Sequence, residues 1–196
     1  MRLRHILIGG TSHAGKSTLA AELGRRLRWT VDSTDAIARH PGRPWPELRP
    51  QVGEFYRSLS PETIHWFLKV HHDNMWPLIL QRLASVAADG GTLVLEGSAL
   101  RPERMAALVS SDLFACLLHI APDRLTERMY IASEYRNRDS DSRLIIDRFL
   151  ERSIRDGSEV YESARQHGVP IFDAEQTDLP EAVFHALAQQ GTRPDE

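Results

Sequence analysis

The chain has 196 residues, 41% of them hydrophobic and 26% charged. That suits one folded domain, or one domain with an insertion, with apolar content enough for a core. A formal charge of −3 gives no whole-chain reason to expect a nucleic-acid partner or an anionic membrane.

The single Cys116 excludes an internal disulfide. No apolar run approaches the ~20 residues of a membrane helix. The N-terminus runs from Arg4 straight into apolar sequence without a signal-peptide pattern. The expectation is a cytoplasmic protein, monomeric or homodimeric, with no nucleic-acid or membrane partner.

His5-Ile6-Leu7-Ile8-Gly9 is a short apolar run bounded by glycine, and reads as the first strand. Directly after it, Gly10-Thr11-Ser12-His13-Ala14-Gly15-Lys16-Ser17 fits G-x-x-x-x-G-K-[ST] at every fixed position, with Thr18 following. The glycines let the backbone turn so that successive N–H groups face one concavity and bind phosphate oxygens. Lys16 adds a point charge for the β- and γ-phosphates, and the Ser17 hydroxyl suits Mg²⁺. Leu19, Ala20, Leu23 and Leu27 then recur on one helical stripe. This strand–loop–helix context gives the motif its weight.

Trp29-Thr30-Val31 reads as the second strand, ending at Asp32-Ser33-Thr34-Asp35, with the aspartates at its carboxyl end. Open α/β sheets bind ligands there. Asp32 and Asp35 are therefore candidate catalytic carboxylates, one to take a hydroxyl proton and the other to orient substrate or Mg²⁺. Asp35 is preferred, although it would also cap a helix at Ala36. His40 to Pro46 carries three prolines and reads as an ordered loop over the site or as a plain connection.

Ser60-Pro61-Glu62 opens a helix that should run to about Asn74. Pro77 should interrupt it, with a second segment to Ala88. The stretch from Ile64 to Trp76 holds His65, Trp66, His71, His72, Asp73 and Asn74. It lacks zinc-ligand spacing and suits the wall of a pocket for a small polar molecule. Core packing of Trp66, Phe67, Val70 and Trp76 is the plainer alternative.

Thr92-Leu93-Val94-Leu95 reads as a third strand buried on both faces. It ends at Glu96, a candidate to hold Mg²⁺ beside Ser17. A helix should follow from Arg101 to about Ser110, then a fourth strand over 113–120, and a helix from Pro122 to about Tyr135. A charged loop over 136–142 precedes a long helix from Leu144 to His167. A fifth strand over 169–172 and a C-terminal helix from Pro180 to about Gln189 complete the pattern. Strands alternating with helices behind a phosphate loop mean a doubly wound α/β fold: a five-stranded parallel sheet with helices on both faces.

Arg124 and Arg128 share one helix face, and Arg136 and Arg138 bracket Asn137. At least one should face a transferred or nucleotide phosphate, because guanidinium binds phosphate in a planar fork. The alternative for each is a solvated ion pair with Glu127, Glu134 or Asp139.

Three stretches together resemble a known group: Ile8 to Ser12 with Gly15 to Thr18, then Ser33 to Arg39, then Leu95 to Pro102. They look like the 2-phosphoglycerate kinase-like group of P-loop kinases. More broadly the chain is similar to small-molecule kinases of the shikimate, gluconate and chloramphenicol phosphotransferase type. The resemblance implies ATP and Mg²⁺, an acceptor site over the second-strand end formed by an insertion at 36–80, and an arginine-bearing lid at 124–142. It also implies that Asp35 lies where the family places its acceptor-side aspartate. Ser98-Ala99 replaces the usual Val-His, and His13-Ala14 stands where small residues are usual. The reading that follows is transfer of the γ-phosphate of ATP to a hydroxyl of a small molecule. The alternatives are a nucleotide-driven regulator that hydrolyses slowly, and a nucleoside or nucleotide kinase.

Overall fold

The structure is a computed structural model that describes residues 3–37 and 43–190. Five strands form one parallel sheet: β1 (His5–Gly9), β2 (Thr30–Ser33), β3 (Leu93–Glu96), β4 (Leu113–His119) and β5 (Ile171–Asp173), in the spatial order β2-β3-β1-β4-β5. The helices are α1 (Lys16–Leu27), α2 (Thr34–Ile37), α3 (Pro50–Ser58), α4 (Pro61–Ala88), α5 (Pro102–Ala106), α6 (Pro122–Ala132), α7 (Ser140–His167) and α8 (Leu179–Gln190). A short 3₁₀ turn, Tyr135–Asn137, joins α6 to α7.

Alternation along the central strand explains the two layers. Successive side chains of a strand point to opposite faces. Ile6 and Ile8 pack with Leu19, Ala20 and Leu23 of α1, Leu125 and Met129 of α6, and Val183 of α8. Leu7 packs on the other face with Met75, Ile79 and Leu83 of α4 and Met105 of α5. All of these strand residues are fully buried, each contributing about 1.5–3 kcal/mol from removal of its apolar surface from water. Helix α7 serves both layers, because Ile145, Ile146 and Phe149 belong to the first cluster and Val160 and Ala164 to the second. Between these halves it runs past the phosphate loop, where the Ser153 carbonyl accepts from Thr11 Oγ1 at 2.8 Å.

Several boundaries differ from expectation. Pro77 does not break its helix: α4 is continuous over 28 residues. Its buried stripe of Ile64, His72, Met75, Ile79, Leu83 and Val86 passes through the proline without a phase change. Packing along one face therefore offsets the lost backbone hydrogen bond. Ser60 caps this helix by accepting from the Thr63 N–H. Asp35 does not cap a helix at Ala36, since α2 already begins at Thr34 and Asp35 donates its own N–H to Ser33 Oγ. Helix α3 was not expected. Helix α5 has five residues and ends at Ala106, not near Ser110. Helix α7 begins at Ser140, because Asp139 Oδ1 accepts from the Ser142 N–H and converts part of the expected charged loop into a capped N-terminus. Among the described residues no helix is long and apolar enough to cross a membrane.

Candidate active site

The carboxyl ends of β1, β2 and β3 meet at a cavity of about 240 Å³. The phosphate loop forms one wall and the β2 and β3 termini form the other. Glycine is required at both approaches. Gly10 lies at φ 143, and a Cβ there would stand 2.4 Å from the Leu118 carbonyl oxygen. Gly97 lies at φ 156, with Thr34 Oγ1 only 1.8 Å from where its Cβ would be. Any side chain at either position would force the walls apart.

Gly15 is left-handed and caps α1, so the loop delivers its N–H groups and the positive end of the helix dipole to the same space. Lys16 is buried, and its Nζ donates to the Thr11 carbonyl at 2.7 Å. Burial lowers its pKa, opposed by the charges of Glu96, Asp35 and Asp156. Ser17 Oγ donates to Glu96 Oε1 at 3.0 Å. Glu96 is itself buried, so two hard oxygen donors stand together beside the phosphate loop. They suit Mg²⁺, which prefers such ligands and keeps part of its water shell.

Of the loop residues singled out in the sequence, Ser12, His13, Gly15, Lys16, Ser17 and Thr18 line this cavity. Thr11 and Ala14 are buried behind it. His13 is unusual. It sits at φ 63, its ring packs 5.3 Å from Trp45, and its buried Nδ1 has no hydrogen-bond partner. Burial depresses its pKa to about 4, aided by the positive charges of Arg43, Lys16, Arg128 and Arg152. Four cations around one neutral ring mark a place prepared for anionic charge.

The two aspartates separate. Asp35, on α2, lines the cavity. Asp32 lies within β2, and its Oδ2 accepts from Arg82 Nε of α4 at 2.6 Å. It thus serves an ion pair between strand and helix. The remainder of the Ser33–Arg39 stretch, Ala38 and Arg39, falls outside the described residues, as do His40, Pro41 and Gly42 of the proline-rich loop.

The four expected arginines also divide. Arg128 lies against the phosphate loop, donating to the His13 carbonyl at 3.2 Å and pairing with Glu175. Arg124 is held by Glu175 and Glu127. Arg138 Nε donates to the Ser133 carbonyl, and the Arg136 carbonyl accepts from Arg143. Neither Arg136 nor Arg138 lines the cavity.

Instead, Arg43 and Phe149 line it, and Arg152 stacks on Phe149 with its guanidinium carbon 4.4 Å from the ring centroid. Arg43 belongs to the proline-rich segment that the sequence offered as a loop over the site, whereas Phe149 and Arg152 were missed. The only signal was the i, i+3 spacing of Phe149 and Arg152, which puts both on one face of α7.

The histidine stretch on α4 is dispersed. His65 Nε2 meets Glu159 Oε1 at 2.8 Å, and Asp73 pairs with Arg104. Arg104 also lies over the Trp76 ring. Trp66 is 57% exposed, which removes it from the core. Among the described residues no group of three or more His, Cys, Asp or Glu side chains is placed to hold a metal ion. A second cavity, of about 620 Å³, lies on the far side of Gly15. Leu118, Ala174, Leu179, Pro180 and Arg128 contribute to its walls.

No protein-family model and no curated sequence matches the chain. Solved structures match its fold. A sugar kinase from Janibacter sp. HTCC2649 is 16% identical with a TM-score of 0.56, over 96% of this chain and 94% of that one. A gluconokinase from Sinorhizobium meliloti 1021 is 20% identical with a TM-score of 0.54, over 97% and 93%. A deoxyadenosine kinase from M. mycoides is 18% identical with a TM-score of 0.53, over 94% and 99%. The fold is thus the α/β fold shared by P-loop small-molecule kinases, with the five-stranded parallel sheet expected from the sequence.

Proposed function

We propose that this chain transfers the γ-phosphate of ATP to a hydroxyl group of a small-molecule acceptor. The observation that carries this reading is the single cavity on which Lys16, the Ser17–Glu96 pair and Asp35 converge. Phosphoryl transfer needs positioning and charge neutralisation more than covalent help, and these residues supply both.

In this reading the loop N–H groups and Lys16 hold the β- and γ-phosphates. Ser17 and Glu96 hold Mg²⁺, which when bound would neutralise phosphate charge. The apolar second cavity, adjoining the loop through Gly15 and Thr18, takes the nucleoside, with Arg128 beside it. Asp35 accepts the proton of the acceptor hydroxyl as that oxygen bonds to the γ-phosphorus. The bond from phosphorus to the β–γ bridging oxygen breaks, and ADP leaves. The insertion over 36–80 provides the acceptor side and the segment over 124–142 the lid. Kinase names among the solved structures of this fold support the same class of chemistry.

The test is a mass-spectrometric search of a metabolite pool incubated with γ-labelled ATP and the full chain. A labelled phosphate ester made by the wild type and not by Lys16→Ala supports the reading. Hydrolysis alone, with nucleotide-dependent capture of a protein partner and no labelled ester, would instead favour a nucleotide-driven switch.

A further inference from the structure

We propose that two copies of this chain pair through the outer face of α4, with the helices antiparallel about a twofold axis near Pro77. None of the residues on that face lines the phosphate cavity.

Helix α4 packs Met75, Ile79, Leu83 and Val86 against the sheet. Its opposite side should then be polar, as on an ordinary surface helix. It is not. Trp66, Phe67, Leu78 and Leu80 are four of the eight large apolar side chains left exposed among the described residues. The side centred on Pro77, Ala84 and Ala88 carries one charged residue from position 66 onward, Asp73, and Arg104 already pairs with it. Lys69 stands at the edge of this side, turned to Glu159 of α7 at 3.7 Å. Aromatic enrichment with few charges marks the centre of a protein interface. The aromatic end is also held in place: Trp66 stands edge-on to Phe67 at 5.2 Å, and Phe67 edge-on to Phe55 of α3 at 5.7 Å.

The occupant that fits is a second copy, because the face is graded in size. Its first half carries Trp66, Phe67 and Val70, and its second half Ala84, Ser85 and Ala88. A twofold axis at the midpoint, Pro77, sets each bulky residue against a small one of the other copy. At a shallow crossing angle of about 20°, Trp66 meets Ala88, Phe67 meets Ser85 and Val70 meets Ala84. Such a contact closes on itself, since the same patch serves both copies.

The centre matches as well. Pro77 has no N–H to give the Asp73 carbonyl one turn back. In the pair, Gln81 of the second copy lies opposite Asp73, and its side-chain amide donates to that carbonyl. The face runs about 33 Å from Trp66 to Ala88 at the helical rise per residue. Contact along it, with Phe55 and the flanks of α4, is on the order of the ~800 Å² per partner of a stable interface. A net charge of −3 per chain adds little repulsion between copies once screened by salt.

The test is sedimentation equilibrium of the full chain from low micromolar to submillimolar concentration. The wild type should reach twice the mass of one chain. Ala84→Arg alters an exposed helix position, so the fold is kept. It should raise the dissociation constant by roughly tenfold or more, because the new charge would be buried against Val70 without a partner. Trp66→Glu should act alike, and if it fails to fold, Ala84→Arg decides alone. A short bifunctional thiol reagent should link Pro77→Cys to itself across the axis. It should not link Ser85→Cys, which lies about 24 Å along the helix from its own copy. The native Cys116 is buried and gives no background. A single-chain mass at every concentration overturns the inference, as does a dimer that neither substitution weakens. Linking at Ser85→Cys and not at Pro77→Cys overturns it too. So does a monomer that cosediments with phosphatidylcholine–phosphatidylglycerol vesicles and loses them on Trp66→Glu, which would give the face to a lipid surface.

Discussion

Ser17 Oγ donates a hydrogen bond to Glu96 Oε1 across 3.0 Å, joining the start of α1 to the end of β3. The residues are 79 positions apart in sequence. Parallel register brings them together, because Ile8 at the end of β1 is paired with Glu96. The two oxygens proposed to hold Mg²⁺ are thus set by a sheet strand and the first turn of a helix, and not by a flexible loop. Glu96→Gln keeps the shape and removes the charge. It should raise the Mg²⁺ concentration needed for turnover and leave metal-free ADP affinity unchanged. Titrating activity and ADP binding against Mg²⁺ checks this, and an unaltered metal dependence would make Glu96 purely structural.

Lys16→Ala should leave the fold intact, since the side chain's hydrogen bond stays within its own loop, to Thr11. ATP turnover should fall by about 10²–10³-fold, as for loss of one preorganised charge-stabilising donor. Circular dichroism and ADP release measured together separate the two effects. Wild-type turnover in the folded variant would remove the loop from the chemistry.

The two aspartates should behave differently. Asp35→Asn should lower transfer by roughly the 10²–10⁴-fold expected for loss of a general base, with ATP binding and slow hydrolysis by water much less affected. Asp32→Asn weakens the contact with Arg82 and should leave transfer near the wild-type rate. Side-by-side transfer and hydrolysis assays decide, and the reverse order would move the catalytic carboxylate to Asp32.

Arg101 and Asp156 form a buried ion pair at 2.5 Å, linking the β3–α5 connection to the segment of α7 that backs the phosphate loop. Asp156→Ala removes the buried partner and leaves the guanidinium only the longer contacts with Glu103 at 3.5 Å and Glu159 at 3.9 Å, so it should cost up to about 3–5 kcal/mol. For a chain of this size that is a fall of roughly 6–20 °C in Tm. The double change Arg101→Met with Asp156→Leu should recover much of the loss. A melt of Asp156→Ala within a degree or two of wild type would show that the pair is not needed.

His13 gives a pH dependence with a definite sign. Burial, with Arg43, Lys16, Arg128 and Arg152, holds its folded pKa near 4, against 6.5 when unfolded. Between these values the unfolded chain binds the proton that the folded chain refuses. The contribution is therefore intact above pH 6.5 and is lost progressively as pH falls towards 4. His13→Asn, which tolerates the left-handed backbone, should flatten the decline of Tm across that window. An identical slope in both proteins would count against it.

The first strand, the phosphate loop and the α1 stripe were legible because each rests on local rules: glycine at a turn, apolar spacing at a helical period, a short β-prone run. So was the alternation that dictates a parallel α/β sheet. Glu96 and Asp35 could be placed at strand ends for the same reason. What was not legible depends on which faces meet. Pro77 stays inside α4 because the stripe from Ile64 to Val86 packs along one side of it, a gain that no local propensity records. Asp32 and Asp35 look equivalent in sequence, yet Arg82, 50 residues away, claims the first. Arg124, Arg128 and Arg138, which the sequence favoured, are held by neighbouring acids or backbone carbonyls, whereas Arg43 lines the cavity from the proline-rich segment that the sequence offered as a loop over the site. Only the packing of α7 across the phosphate loop brings Phe149 to the cavity, with Arg152 stacked on it, because burial and charge pairing are settled between elements and not within them.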